Sequence, residues 1–194
     1  MSDSATERVT ADTKGRSPLV YVIILNYNNF RDTVEAISSV LELRYDNFRL
    51  LLVENSTEHG VIDAIRAQFP DIEILETGRN LGYAGGNNAG ILHAMKQEPD
   101  YIFVLNNDIS VEPDALTTLV HELEINRDCA ACQPLVVYSK NPDITWSAGT
   151  EMYLGYPRLC QKNWSRPPSQ PAKPPFGLVG CALLLRVSAL RDTG

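Results

Sequence analysis

Apolar and polar positions along this chain fall in blocks whose period switches regularly between that of a strand and that of a helix. Leu19 to Leu25 (LVYVIIL) is a continuous β-branched and apolar run, the pattern of a strand covered on both faces. Asn26 to Asn29 punctuate its end. From Phe30 to Leu43, Val34, Ile37, Val40 and Leu41 recur at helical spacing, with Asn28 or Asn29 available as N-cap. Phe48 to Val53 reads as strand two. Val61, Ile62, Ile65 and Phe69 mark a second helix ending before Pro70, and Ile72 to Leu75 a short third strand. Gly78 to Asn88, rich in glycine and asparagine, predicts a loop that runs into a helix through Ile91, Leu92 and Met95. Tyr101 to Leu105 (YIFVL) makes strand four. Pro113 suits the first turn of the next helix, carried by Leu116, Leu119, Val120 and Leu123, and Leu135 to Tyr138 is a fifth strand.

Strand and helix alternate four times, which predicts the α/β class: a Rossmann-like, mostly parallel sheet with helices on both faces. Ligands of such sheets bind beyond the carboxyl ends of the strands. The residues to weigh are therefore Asn26-Tyr27-Asn28, Glu54-Asn55-Ser56, Gly78 to Asn88 and Asn106-Asn107-Asp108. After strand five the pattern weakens: Ile144 to Leu154 reads as β, and Arg166 to Pro175 (RPPSQPAKPP) as a Pro-rich connection. The expected organisation is a polar arm over 1–18, an α/β core over 19–140, and a further region over 141–194 that holds the Pro-rich loop 166–175.

Composition narrows the function classes. A chain of 194 residues is long enough to bury a core without metal or disulfide staples. The apolar runs Leu19 to Leu25 and Phe176 to Leu185 fall far short of the roughly 20 residues of a membrane span, and the polar arm lacks the apolar centre of a signal peptide. Net charge is −7. Arg158, Lys162, Arg166, Lys173, Arg186 and Arg191 occupy Met152 to Arg191 without an acidic residue, so that segment is +6 and the remainder −13. An acidic body argues against a nucleic-acid partner, whose phosphates demand a basic footprint. The late basic segment suits either a smaller anionic partner or a solvated loop. Cys129, Cys132, Cys160 and Cys181 include one CxxC pair, but the apolar Pro134 to Tyr138 behind it suggests a buried strand entrance with free thiols, fitting a reducing cytoplasm.

The strand ends are polar, small and mostly uncharged, with two carboxylates, Glu54 and Asp108. Asn and Glu can hydrogen-bond a base edge and ribose hydroxyls, and glycines at a helix N-terminus let backbone N–H groups approach a diphosphate. A carboxylate after strand four can hold a divalent cation against phosphate oxygens, since Mg²⁺ takes one or two protein carboxylates plus phosphates and water. Taken alone, Asn-Asn-Asp could equally turn the chain and cap the following helix, and a glycine cluster could be a flexible turn. Neither GxGxxG after strand one nor GxxxxGK[ST] occurs.

In order and spacing, VIILNYNN (22–29), LLVENSTEHG (51–60), GRNLGYAGGNNAGI (78–91) and YIFVLNNDISVEPDAL (101–116) resemble glycosyltransferase family 2, of the A-type glycosyltransferase fold. TWSAG (145–149) and GLVGCALLLRVSAL (177–190) are similar to segments of its bacterial rhamnosyltransferase-like branch. The resemblance implies that Tyr27 and Asn28 line the nucleotide pocket, with Asn55, Asn106 and Asn107 in the same set. Glu54 stands where the family usually has an Asp on the base or ribose, and is one methylene longer. Asn80, Gly82, Gly85 and Asn88 match positions that meet the nucleotide and its diphosphate, while Asn87 falls where many relatives carry Arg, so the diphosphate leans more on metal. Asp108 becomes the single carboxylate expected on Mn²⁺ or Mg²⁺. Trp146 and Gly180 face the acceptor side, which region 141–194 is expected to begin.

The resemblance also implies an inverting, metal-assisted transfer of the hexosyltransferase type, from a nucleotide-diphosphate sugar (dTDP-rhamnose-like or a UDP-sugar) to a glycan or lipid-linked acceptor of polysaccharide or cell-surface glycan synthesis. The expected location is the cytoplasm, with peripheral attachment at the inner membrane face left open. In the family the general base lies past the segment matched by Leu178 to Leu190, which puts it beyond Gly194, and Asp192, the last acidic residue, reads as a loop position. The expectation is thus a C-terminally truncated piece of a longer enzyme, the alternative being a nucleotide-sugar-binding module without efficient transfer.

Overall fold

The computed structural model describes residues 16–57, 59–153, 156–159 and 177–193, with backbone alone at 59, 151–153 and 156–159. Cys160, Lys162, Trp164, the Pro-rich loop 166–175 and most of the polar arm lie outside the described residues. So does Gly194, and the expectation of a general base beyond it therefore falls outside them too. A six-stranded sheet runs in the order β3-β2-β1-β4-β10-β5. Its strands are β1 (Val20–Asn26), β2 (Phe48–Glu54), β3 (Glu73–Glu76), β4 (Tyr101–Asn106), β5 (Ala131–Cys132) and β10 (Ala182–Arg186). The first four are mutually parallel, and β10 is antiparallel to both β4 and β5. Two small antiparallel pairs stand apart: β6 (Val136–Tyr138) with β7 (Asn141–Ser147), and β8 (Thr150–Tyr153) with β9 (Tyr156–Leu159).

The period of two along each strand divides the core between the two faces of the sheet. Val20, Val22 and Ile24 of β1 pack with α1 (Phe30–Leu41), α2 (His59–Gln68) and α4 (Ala115–Ile125), whereas Tyr21 and Ile23 pack with α3 (Gly82–Met95) and α5 (Val187–Thr193). Helices therefore cover both faces, as expected. β1, β2 and β4 are buried on both faces over most of their length, which is why they read as unbroken apolar runs. Each large aliphatic side chain sealed inside contributes about 1.5–3 kcal/mol relative to exposure. α1 begins after Asn29, whose Oδ1 accepts from the Asp32 N–H at 3.2 Å, so the cap is Asn29 and not Asn28.

Several expectations need correction. Residues 82–88 are helix and not loop, because α3 opens at Gly82. The propensity cost of its glycines is overridden by packing: a Cβ on Gly90 would come within 2.7 Å of Val53 Cγ2 and 2.9 Å of Ile23 Cγ2, so α3 lies against β1 and β2 at a distance that only glycine permits. The apolar stretch Leu135 to Tyr138 forms a strand outside the main sheet. The antiparallel β10 and the two-residue β5 take that place, and sequence period does not disclose which partner a short apolar run will find. Pro113 precedes α4 by two residues, with Asp114 at the N-cap position. Of the described cysteines, all free, Cys181 is buried, Cys132 intermediate and Cys129 exposed, so the CxxC pair is not a buried entrance; Cys129 lies in the turn before β5. Asp192, read as a loop residue, belongs to α5.

Candidate functional site

Register puts the chemistry at one level. Asn26 pairs with Glu54 across β1 and β2, and Leu25 with Asn106 across β1 and β4. The strand order reverses between β1 and β4, the switch point where open α/β sheets hold their ligands. Beneath it lies a buried polar cluster. Asn26, 0% exposed, donates through Nδ2 to Glu54 Oε2 at 2.6 Å. Its Oδ1 accepts from Thr33 Oγ1 at 2.9 Å, Asn107 Nδ2 at 3.1 Å and the Asn29 N–H at 3.2 Å. Asn107 Nδ2 also reaches Thr33 Oγ1 at 3.0 Å, so this amide is turned inward. Glu54 is 1% exposed.

A second cluster joins β2 to the entrance of α3. Asn55 Nδ2 donates to Asn80 Oδ1 at 3.2 Å and to the Gly82 carbonyl at 3.1 Å, and its Oδ1 accepts from the Leu81 N–H at 3.0 Å and Thr77 Oγ1 at 3.2 Å. Asn80 Oδ1 takes the Gly82 N–H at 2.8 Å. Gly82 itself sits at φ +71°, a backbone that a side chain rarely adopts. The N-cap Leu81 makes no side-chain cap to α3; Asn80 takes the Gly82 N–H instead, and the positive end of the helix dipole lies at this entrance.

The third component is the turn after β4. Asp108 is exposed, and the Ile109 N–H closes the turn on the Asn106 carbonyl at 3.3 Å. Opposite it, the Tyr83 hydroxyl donates to the Gly180 carbonyl at 2.5 Å. Burial pushes that hydroxyl upward in pKa, the nearby Cys181 thiol adds to the rise, the Asn87 amide opposes it, and the Asp108 charge raises it further. Burial and the same Asp108 charge raise Cys181. Asp108, Tyr83 and Cys181 thus share one neighbourhood, which the hydroxyl bond ties to the start of β10.

Asn28 holds φ +52°, a conformation asparagine tolerates better than most residues. Its Oδ1, together with Glu54 Oε1, Asn87 Oδ1 and Asn106 Oδ1, is buried without a hydrogen-bond partner among the described residues. Such atoms are rare in folded proteins, and four of them border one sheet edge. Tyr27 is 55% exposed, Asn88 is exposed in the second turn of α3, and Gly85 packs on Leu81, whose Cβ a side chain there would meet at 2.8 Å. Trp146 lies in β7, outside the main sheet. Sequence reasoning passed over Thr33, Thr77 and the hub role of Asn26. The available signal was register: a polar residue closing an otherwise apolar strand, opposite another.

No group of three or more His, Cys, Asp or Glu among the described residues could hold a metal by itself. The residues present would suit a hard cation held by Asp108, with the unpartnered Asn106 Oδ1 near the same turn and phosphate and water oxygens completing its shell. An open hollow of about 430 Å³ lined by Leu41, Phe48, Phe69 and Ile72 lies at the opposite, amino-terminal edge of the strands and contains none of these groups.

The model of glycosyl transferase family 2 matches residues 21–194. The chain belongs to glycosyltransferase family 2. Among solved structures, this family 2 chain is similar to a mannosyltransferase from Pyrobaculum calidifontis, PcManGT, in complex with GDP-Man and Mn²⁺: 16% identity, TM-score 0.64, over 93% of this chain and 48% of that one. It is also similar to S. aureus TarS 1-349, with 14% identity and TM-score 0.53 over 90% and 49% of the two chains. At these identities the likeness concerns the fold. The chain spans about half the length of either structure.

Proposed function

We propose that this chain forms the donor half of a glycosyltransferase that takes its sugar from a nucleoside diphosphate. The observation that carries the reading is the convergence, at the switch point of a family 2 sheet, of unpartnered acceptor atoms, the N-terminus of α3 and one exposed carboxylate. Tyr27 offers an exposed ring, Asn28 and Glu54 offer oxygen acceptors to base and ribose, and the N–H groups at Tyr83 to Gly85, at a helix entrance placed by Asn55 and Asn80, face the diphosphate. Asp108, with Asn106, holds Mn²⁺ or Mg²⁺, which when bound neutralises charge on the leaving diphosphate.

In the transfer, an acceptor hydroxyl oxygen forms the new bond to the anomeric carbon while the bond from that carbon to the diphosphate breaks, its electron pair leaving with the diphosphate; the acceptor proton passes to a carboxylate base. Asp192 does not stand at the site, since α5 begins at the amino-terminal edge of the sheet, where the Val187 N–H meets the Asp100 carbonyl at 3.0 Å. Gly180 and Trp146 border the acceptor, which we take to be a glycan or a lipid-linked glycan; of the basic residues between Met152 and Arg191, Arg186 bonds Tyr101 at the amino-terminal edge and Arg191 belongs to α5, and the side chains of the other four lie outside the described residues. Among the described residues no helix is long and apolar enough to cross a membrane.

The experiment is calorimetric titration of UDP, dTDP and GDP into the chain, with and without Mn²⁺, beside Asp108→Ala. We expect binding of one nucleotide to strengthen at least tenfold with Mn²⁺ and that gain to vanish in the variant, with circular dichroism unchanged. A folded wild type that binds none of the three removes the proposal.

A further inference from the structure

Resting on the donor-site reading, we infer that Asn26 is a positioning residue that holds the nucleoside-side carboxylate Glu54 and the cation-side turn Asn107-Asp108 in fixed relation, through hydrogen bonds from one buried amide. Its side chain touches both ends: Nδ2 on Glu54 Oε2 at 2.6 Å, and Oδ1 on Asn107 Nδ2 at 3.1 Å. The orientation of the amide is decided by its neighbours, because the Asn29 backbone N–H can only donate and meets Oδ1 at 3.2 Å. With Thr33 Oγ1 as a third donor at 2.9 Å, that oxygen is saturated.

Ladder geometry explains why a side chain is needed here. Pairing of β1 with β4 ends at Leu25 and Asn106, so beyond that level no strand hydrogen bond ties the Asp108 turn to β1. The Asn107 amide supplies the tie, one residue before the carboxylate. On the other side, β1 and β2 are still paired at Asn26 and Glu54, where a glutamate side chain would otherwise be free to rotate; the 2.6 Å bond fixes one oxygen and leaves Oε1 without a partner among the described residues. Thr33 of α1 braces both Asn26 and Asn107. A shift of that helix would therefore move both ends together.

The test compares Asn26→Ala and Asn107→Ala with Ile65→Val, a control that loosens the core of α2 without touching the cluster. Amide hydrogen exchange is read at Ile109 and at Val53 of the β1–β2 ladder, and UDP, dTDP and GDP are titrated with and without Mn²⁺. Both network variants should speed exchange at Ile109 at least tenfold relative to Val53, which Ile65→Val should not do. Asn107→Ala should lose only the Mn²⁺-dependent gain in affinity, whereas Asn26→Ala should lose that gain and at least threefold of the metal-free affinity. Exchange at Ile109 no faster than in Ile65→Val overturns the inference whatever the nucleotide data, and so does an Asn26→Ala variant confined to one end. A wild type that binds no nucleotide sinks the donor reading instead, and the exchange arm then decides the positioning role alone. Should Asn26→Ala fail to fold, Thr33→Val removes the brace from outside with the same expected rise at Ile109.

Discussion

Helices α1 and α3 lie on opposite faces of the same sheet and follow opposite rules. α1 buries Thr33, Ala36, Ile37 and Val40 and is capped by Asn29, so local propensity, patterning and tertiary packing agree. α3 buries Gly86, Asn87, Gly90 and Ala94, and its N-cap residue Leu81 makes no side-chain cap bond. Its glycines cost about 1 kcal/mol each in helix propensity. What α3 gains is proximity: its backbone lies close on Val53 and Ile23, and its first turn stays open at the sheet edge where the acceptor atoms gather. The helix that contradicts local preference is the one that borders the candidate site, as expected where function and foldability pull apart.

The largest test of this contrast is Ile37→Ala, which removes a fully buried side chain from the α1 face; urea melts should show a loss of about 2–5 kcal/mol. In α3 the sign of a size change should invert. Gly90→Ala adds a methyl against the stiff Val53 and Ile23 side chains, and overpacking of about 1–3 kcal/mol, offset by up to ~1 kcal/mol of helix propensity, should leave a net destabilisation. A stabilised Gly90→Ala would show that α3 is not held close for packing reasons. Asn29→Ala should cost about 1 kcal/mol through loss of the α1 cap, with nucleotide affinity barely changed.

The smallest effect is alkaline. Tyr45, just beyond α1, bonds the Pro18 carbonyl at 2.6 Å, and burial pushes its hydroxyl from 10.0 up to about 12, with the Asp100 and Glu124 charges adding to the rise. The neutral phenol is favoured in the folded state, so its contribution is fully present below pH 10 and fades as pH climbs from there toward 12. Tyr83 on α3 shifts in the same direction. Tyr45→Phe should flatten the fall in melting temperature between about pH 10 and 12, and an unchanged slope would count against this source.

How far the site was legible depends on how local each signal is. The strand ends Asn26 to Asn28, Glu54-Asn55 and Asn106 to Asp108 could be placed because a polar stop after an apolar run is visible within a few residues. The glycine segment could not: the same composition suits a loop or a closely packed helix, and only the side chains of β1 and β2 pressing on Gly86 and Gly90 decide between them. β10 was hidden for a related reason. An apolar run of five residues fits several sheets, and its insertion beside β4 rests on pairing across a long stretch of chain.

Alternating periods and polar strand ends, read from the sequence by itself, determined the α/β class, the parallel first half of the sheet and the edge proposed for the site, because each follows from interactions between near neighbours. The tertiary structure alone decided that Asn26 faces Glu54, Thr33 and Asn107 at once, that Tyr83 reaches Gly180, and that a glycine-rich stretch is a helix. Those outcomes depend on register between strands and on the spacing between layers, which are set when distant segments pack and are not encoded in any short window of residues.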